Sequence, residues 1–160
     1  MQYLIADQSY DSRIINIAGR QRMLSQQIAK TSLYILNGVK SEGVDSYHQQ
    51  LQQALDLWQR SHAGLLNGDA ELGLPGQNSV EVLALFKQIQ PHFLAMVDAA
   101  NRILNPAGAT ITQGIATLGT HESRFLTLMN EIVFRYDKEA ASKIEFAAVL
   151  ELGLMSITLL

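Results

Sequence analysis

Residues 14–35 read IINIAGRQRMLSQQIAKTSLYI, and the spacing of their apolar side chains decides the fold class. One set of large apolar residues recurs at intervals that add up to multiples of about 3.6 residues, the period of an α-helix. Its members are Ile14, Ile17, Leu24, Ile28 and Ile35. We expect this stripe to face a hydrophobic core.

The helical period continues through the rest of the chain, without a convincing alternating strand pattern. We predict four helices, over residues 3–36, 44–66, 79–104 and from 110 to the end of the sequence. Asn37 and Gly38 are typical residues for ending the first helix. Short connections between long helices favour an all-α fold, an antiparallel four-helix bundle with long first and fourth helices.

A few residues predict where the third helix begins and where it is distorted. The stretch NGDAELGLPGQNS is the most obvious loop, and Asn78 or Ser79 after it can cap the third helix. Glu81 then lies in the favourable first turn. Pro91 has no backbone N–H, so we expect a kink or a short break near Gln90.

Composition excludes several classes of protein. At 160 residues the chain has the size of one domain. Its net charge of −3 argues against nucleic acid as a partner. It has no cysteine, which excludes disulfides and thiolate metal sites.

The last residues read FAAVLELGLMSITLL and are apolar to the end. This run is shorter than the roughly 20 residues that cross a bilayer. We expect residues 152–160 to be the start of a truncated transmembrane helix and residues 1–151 to form one domain outside the membrane. The alternative is a terminal helix docked in the core.

A second stripe on the first helix carries mostly small side chains around an arginine. It comprises Ile15, Ala18, Arg22, Ser25 and Ala29, centred about 120° from the core stripe. Small residues at helical spacing let another helix approach closely. If that helix belongs to a second subunit, a two-fold axis brings two copies of Arg22 together, and a small anion relieves their repulsion. A planar oxyanion such as nitrate matches the guanidinium fork.

Simpler interpretations of the same stripe stay open. An arginine on a helix is usually solvated or paired with a carboxylate one turn away, and a seam of small residues is usually only packing. Gly19, one turn before Arg22, leaves the backbone open to a ligand at a cost of about 0.5–1 kcal/mol of helix stability. Arg20 points elsewhere, and we expect it to be a surface residue.

The stretch INIAGRQRMLSQQIAK, residues 15–30, resembles the signature of the amino-terminal sensor domain of type IV pilus chemotaxis transducers, the PilJ-type family. It is also similar to the P-box of nitrate and nitrite sensor histidine kinases. A second match, FLTLMNEIVFRYDKEAASKI at residues 125–144, looks like the family's carboxy-terminal half. The segment PHFLAMVDAANRIL, residues 91–104, matches more loosely.

The resemblance implies roles for individual residues. The arginine that contacts nitrate at the family's dimer interface falls on Arg22, and the family's glycine falls on Gly19. The methionine and serine that follow fall on Met23 and Ser25, and Ala18 would add open surface beside the ligand. One position departs from the pattern, because Gln27 replaces an arginine that is common in relatives. If that arginine tunes affinity or specificity, the change predicts weaker binding of nitrate or a preference for another ligand.

The resemblance further implies a function. It predicts that residues 1–151 are the periplasmic, extracytoplasmic sensor domain of a signalling receptor in the inner membrane. The receptor would be a chemotaxis transducer or a sensor kinase, and the domain would bind nitrate or nitrite as a homodimer. Flanking transmembrane helices would connect it to the membrane. The alternative is a dimerising helical stalk that binds no small molecule and transmits signals from a protein partner.

No catalytic or cofactor site is expected. His48, His62, His92 and His121 lack metal-binding spacing, and we expect surface or capping roles for them. Acidic residues of the fourth helix do not form the pattern of a di-iron bundle. Apolar residues of that helix and Trp58 are expected in the core; those on the fourth helix are Ile111, Ile115, Leu118, Phe125, Met129, Ile132 and Tyr136. An enzyme is therefore not predicted.

Overall fold

Four helices account for most of the described residues. The computed structural model describes residues 2–41, 46–106 and 110–158. The helices are α1 (Gln2–Leu36), α2 (Tyr47–Asn67), α3 (Val80–Leu104) and α4 (Thr110–Thr158). Within those ranges there is no strand, only an isolated bridge between Asp69 and Leu74. The all-α four-helix bundle predicted from the sequence is confirmed, with α1 and α4 as the longest helices.

Local capping explains most helix boundaries. At the end of α1 the Asn37 side chain donates to the Leu33 carbonyl at 2.8 Å, and Gly38 takes a φ of 61°. Ser79 caps α3, because its hydroxyl accepts from the Val82 N–H at 3.1 Å. Asn78 instead donates to the Leu65 carbonyl. The predicted C-cap of α1 is confirmed, and Ser79 is the cap of α3.

The predicted start of α2 is wrong. Helix α2 begins at Tyr47, not at residue 44, because Ser46 and Gln49 form a reciprocal capping box. Residue 44 itself lies outside the described residues.

Helix α3 runs through Pro91 as one continuous helix, so the break expected as one alternative near Gln90 does not occur. The other alternative, a kink, stays a prediction. A proline removes only one backbone hydrogen bond, and Ile89 and Phe93 on either side of it are buried in the core.

The core is formed by all four helices. It contains the large apolar stripe of α1 and the apolar residues of α4, as predicted. From α1, Ile17, Leu24 and Ile28 are buried, while Ile14 and Ile35 pack against the core partly buried. On α4 the predicted core residues are buried from Leu118 onwards, and Ile111 and Ile115 are partly buried.

An aromatic cluster centres on Trp58, which is fully buried. Its ring centroid lies 4.5 Å from that of Phe93 and 4.9 Å from that of Phe125. The Trp58 carbonyl also accepts a hydrogen bond from the Gln21 side chain at 3.4 Å. One residue of α2 therefore contacts the three other helices.

His62 corrects the expectation of a surface or capping role. The ring is buried and stacks on Phe93 with centroids 3.7 Å apart. Its Nε2 lies 3.3 Å from Oε1 of Gln90. Burial disfavours the charged form and lowers the pKa of His62 to about 4. The imidazole acts here as a flat neutral core residue on top of an aromatic ring.

Helices α3 and α4 approach each other closely at Gly114. A Cβ atom placed there would lie 2.9 Å from the Ala99 carbonyl oxygen and 2.9 Å from Cγ1 of Ile103. The backbone oxygen cannot move away without displacing the helix. Gly119, five residues further along α4, is exposed, and a Cβ there would meet nothing within 4 Å. These two glycines form a natural pair for comparison.

We predict opposite effects of alanine at these two glycines. Gly114→Ala should lower the free energy of unfolding by about 1–3 kcal/mol, because the added methyl group overpacks the contact between α3 and α4. Gly119→Ala should raise it by about 0.5–1 kcal/mol, because alanine favours the helix and meets no neighbour. Urea unfolding followed by circular dichroism measures both changes. Equal effects of the two substitutions would contradict the close approach at Gly114.

The buried His62 should make the bundle less stable in acid. An unfolded histidine takes up its proton near pH 6.5, whereas His62 in the folded chain does so near pH 4. The unfolded state therefore binds more protons between these values, so stability falls as the pH is lowered through this window. Between pH 7 and pH 4.5 the loss from this residue should be about 2–3 kcal/mol.

His62→Leu should remove that part of the acid sensitivity, as measured by urea unfolding at pH 7 and pH 4.5. The exposed His48 provides the control, because His48→Gln should keep the acid sensitivity of the unmodified chain. If His62→Leu and the unmodified chain lose the same stability on acidification, the histidine is not buried in its neutral form.

Candidate functional site

An open groove lies between α1 and α4 at the level of the predicted anion site. It is lined by Gly19, Arg22, Met23, Gln26, Leu126 and Asn130. Three of the five residues predicted as ligand contacts are therefore in one place. The groove also contains two residues of α4 that the sequence did not point to.

Arg22 is held in the groove by a hydrogen bond across the two helices. Its Nη1 donates to Oδ1 of Asn130 at 2.6 Å. Arginine has five N–H donors and no acceptor, so the amide oxygen, not the amide nitrogen, must face it. Within the described part of the chain Arg22 forms no ion pair with a carboxylate. The guanidinium is thus a positioned but uncompensated positive charge.

Gly19 lies directly beneath that guanidinium group. A Cβ built on Gly19 would meet Nη2 of Arg22 at 3.6 Å and no other atom within 4 Å. Helical side chains lean towards the N-terminus and cover the preceding turn, which explains why Arg22 lies over Gly19. The separation is an ordinary van der Waals contact, so an alanine would also fit. The glycine opens the floor of the groove without being required by the packing of the chain.

Ala18 and Ser25, the other two predicted contacts, lie outside the groove. Both are fully buried within the chain. The Ser25 hydroxyl donates to the Arg22 carbonyl at 2.8 Å. Two of the five residues of the small-residue stripe are thus used for packing inside one subunit. A role for Ala18 or Ser25 in direct ligand contact stays a prediction, and neither residue has exposed surface for it.

Different faces of α1 line different parts of the surface. Met23 is 54% exposed at the edge of the groove. Arg20 is exposed and does not line it, as expected. Gln27 lines a separate depression near Tyr34 and Tyr47. The replacement of the family's arginine by Gln27 therefore changes the charge away from the groove of this chain.

Asn130 is the functional candidate that sequence reasoning missed. It lies on α4, 108 residues after Arg22. The only local signal is that Leu126 and Asn130 are four residues apart and so share a helix face. No periodicity within α4 tells which residue of α1 that face meets. The contact depends on the register between two helices at opposite ends of the sequence.

A second contact defines that register. The Lys143 ammonium group lies 2.8 Å from Oδ1 of Asp11. Moving from Asp11 to Arg22 along α1 corresponds to moving back from Lys143 to Asn130 along α4. The two helices are therefore antiparallel, and the N-terminal end of α1 lies beside the C-terminal part of α4.

Another polar cluster joins α3 and α4. Nδ1 of His92 and Nδ1 of His121 are 3.0 Å apart, so one ring donates a hydrogen bond to the other. Burial, the His121 ring and the Arg124 charge together lower the pKa of His92. A search of the described residues finds no group of three or more histidines, cysteines or carboxylates that could hold a metal ion.

Comparisons with known proteins identify the family of the domain. Residues 3–116 match the family described as type IV pili methyl-accepting chemotaxis transducer N-term, PilJ. No curated protein matches the chain. No solved structure matches it either. Within the described residues, no helix is both long enough and apolar enough to cross a membrane.

The matched region covers α1, α2, α3 and the beginning of α4, which is more than half of the chain. It includes Gly19, Arg22 and Met23, the α1 side of the groove, but not Asn130. The fold and the family match agree with the resemblance found in residues 15–30. The chain belongs to the PilJ family, the N-terminal domains of type IV pili methyl-accepting chemotaxis transducers.

Proposed function

We propose that this domain is the extracytoplasmic sensor of a signalling receptor and that it binds a small oxyanion, nitrate or nitrite, at Arg22. The observation that carries the proposal is the uncompensated guanidinium group of Arg22 in an open groove, oriented by Asn130 at 2.6 Å. A fixed arginine without a carboxylate partner is the simplest protein group for binding an anion.

The chemistry of the groove favours a small planar anion. The guanidinium fork directs parallel N–H donors into one plane, and the oxygens of nitrate or nitrite lie in such a plane. Met23 and Leu126 are the apolar lining residues beside it. Weakly hydrated anions lose less on entering such surroundings than strongly hydrated ones such as sulfate, because transferring a charge from water is costly.

A second copy of the chain would complete the site. Met23 is 54% exposed at the groove, and Phe134, one helical turn after Asn130, is 69% exposed. A two-fold contact through this face would cover both apolar side chains and bring two Arg22 groups together. An anion between them would then stabilise the homodimer. Oligomerisation of this kind couples ligand binding to protein concentration.

Signalling from such a site needs no chemical reaction. A ligand shifts an equilibrium only by its different affinity for two arrangements of the helices. Helices α1 and α4 both line the groove, and the start of α1 lies beside the later part of α4. A small shift of α4 against α1 would carry the signal out of the domain. We place the domain on the periplasmic side of the inner membrane, with output from the transducer in the cytoplasm.

Thermal unfolding in the presence of different anions tests the proposal. The purified chain is heated with nitrate, nitrite, sulfate or chloride at constant ionic strength and at two protein concentrations. Nitrate at 100 times its Kd should stabilise the fold by about 2.7 kcal/mol, or about 5–10 °C in Tm. The rise should be larger at the higher protein concentration. Sulfate and chloride should have little effect.

Arg22→Ala should abolish the nitrate response and leave the helical circular dichroism spectrum unchanged. Arg20→Ala is the matched control, since it removes the same charge from the same helix at an exposed position outside the groove. It should respond to nitrate as the unmodified chain does. A full nitrate response in Arg22→Ala would rule out this site.

The second candidate function is a helical stalk that binds no small molecule. It is favoured by exposed apolar side chains on α4, which offer a surface for another helix; they are Phe134, Ile144, Phe146, Val149, Leu150 and Leu152. A stalk would show no stabilisation by any of the four anions, and Arg22→Leu would then leave its self-association unchanged in sedimentation experiments.

A further inference from the structure

We propose that Asn130 of α4 is the second anion-recognition residue of the Arg22 groove, and that through it the bound anion senses the register between α1 and α4. This inference rests on the proposed function. It assigns a role to a residue outside the region that matches the family.

The hydrogen bond to Arg22 determines how the Asn130 amide is oriented. Oδ1 accepts from Nη1 of Arg22, and the amide nitrogen on the same carbon carries two N–H donors. Among the described residues, no hydrogen-bond partner of that nitrogen is seen. The Asn130 side chain is exposed. The groove therefore contains N–H donors from the guanidinium group and from the amide, side by side. Two adjacent donor groups of this kind suit an anion with several oxygens.

The same hydrogen bond limits the Arg22 side chain. An arginine on a helix surface has several freely rotating bonds, and binding a ligand costs the entropy of fixing them. The 2.6 Å bond to Asn130 fixes the guanidinium over Gly19 before a ligand arrives. Asn130 is thus a positioning residue for Arg22 and a donor to the ligand.

The pairing also makes the site depend on helix register. Moving α4 along α1 by one residue would displace Asn130 by about 1.5 Å, enough to break a bond of 2.6 Å. The arrangement with Asn130 opposite Arg22 would then bind the anion more tightly than a shifted arrangement. By linkage, the anion would favour that register.

Replacing the amide by a carboxylate gives the sharpest test. In Asn130→Asp the new carboxylate occupies the position of the amide, beside Arg22, and neutralises it by a charge-assisted hydrogen bond. The side chain has nearly the same shape, so the fold should be kept. The anion should lose both its donor and the uncompensated charge. Asn130→Asp thus tests the need for an uncompensated Arg22, and Asn130→Ala tests the amide donor separately, because alanine leaves the Arg22 charge unpaired.

The experiment titrates sodium nitrate into the unmodified chain, Asn130→Ala, Asn130→Asp and Arg22→Ala, with Tm and isothermal titration calorimetry as the measurements. Asn130→Ala should bind nitrate at least about tenfold more weakly, since a hydrogen bond to a charged group is lost, and should discriminate less between nitrate and chloride. Asn130→Asp should show no nitrate response. Without nitrate, its Tm should equal or exceed that of the unmodified chain.

Asn101 provides the control, because it is exposed on α3 and does not line the groove. Asn101→Ala and Asn101→Asp make the same chemical changes and should bind nitrate like the unmodified chain. Unchanged nitrate affinity and selectivity in both Asn130 variants, with the response lost in Arg22→Ala, would overturn the role of Asn130 alone. No response in the unmodified chain would overturn the proposed function and this inference together.

Discussion

The bundle depends on the burial of Trp58, where all four helices meet. This side chain of α2 packs on Phe93 of α3 and Phe125 of α4, and its carbonyl accepts a hydrogen bond from Gln21 of α1. A large aromatic ring buries more apolar surface than any other single side chain, and its shape allows only a few arrangements of its neighbours. The relative positions of the helices, and so the groove, follow from how they pack around this ring.

The groove is a surface consequence of that internal packing. Helices α1 and α4 bury Ala18, Ser25 and Leu128 within the chain and leave Arg22 and Asn130 facing each other at the surface. The backbone on both sides of the groove is therefore held in place, because α1 and α4 are long helices whose other faces form the core. Sliding of α4 along α1 would separate Arg22 from Asn130. That is the motion a receptor could use to pass on the presence of a ligand.

Sequence reasoning grouped three residues of α1 that line the groove and missed the residues of α4 that line it. Gly19, Arg22 and Met23 share the groove because residues three or four apart on a helix lie on one face. Ala18 and Ser25 lie at similar spacings, but the chain's own packing covers them completely. Asn130 could not be found, since its contact with Arg22 exists only when α4 lies against α1. His62 was misplaced for a related reason: a polar residue is compatible with the core only if a partner such as Phe93 or Gln90 is beside it.

The sequence by itself determined the four helices, the caps at the end of α1 and the start of α3, and the apolar stripes that form the core, because these depend on interactions within a few residues. Ser79, Asn37 and the spacing of Ile17, Leu24 and Ile28 are enough for that level of structure. Only the tertiary structure decided which residues of different helices meet. The contact of Arg22 with Asn130, the buried imidazole of His62 and the close approach at Gly114 all join segments far apart in the chain. Helix register comes from the shape of the whole core, and no local pattern encodes it.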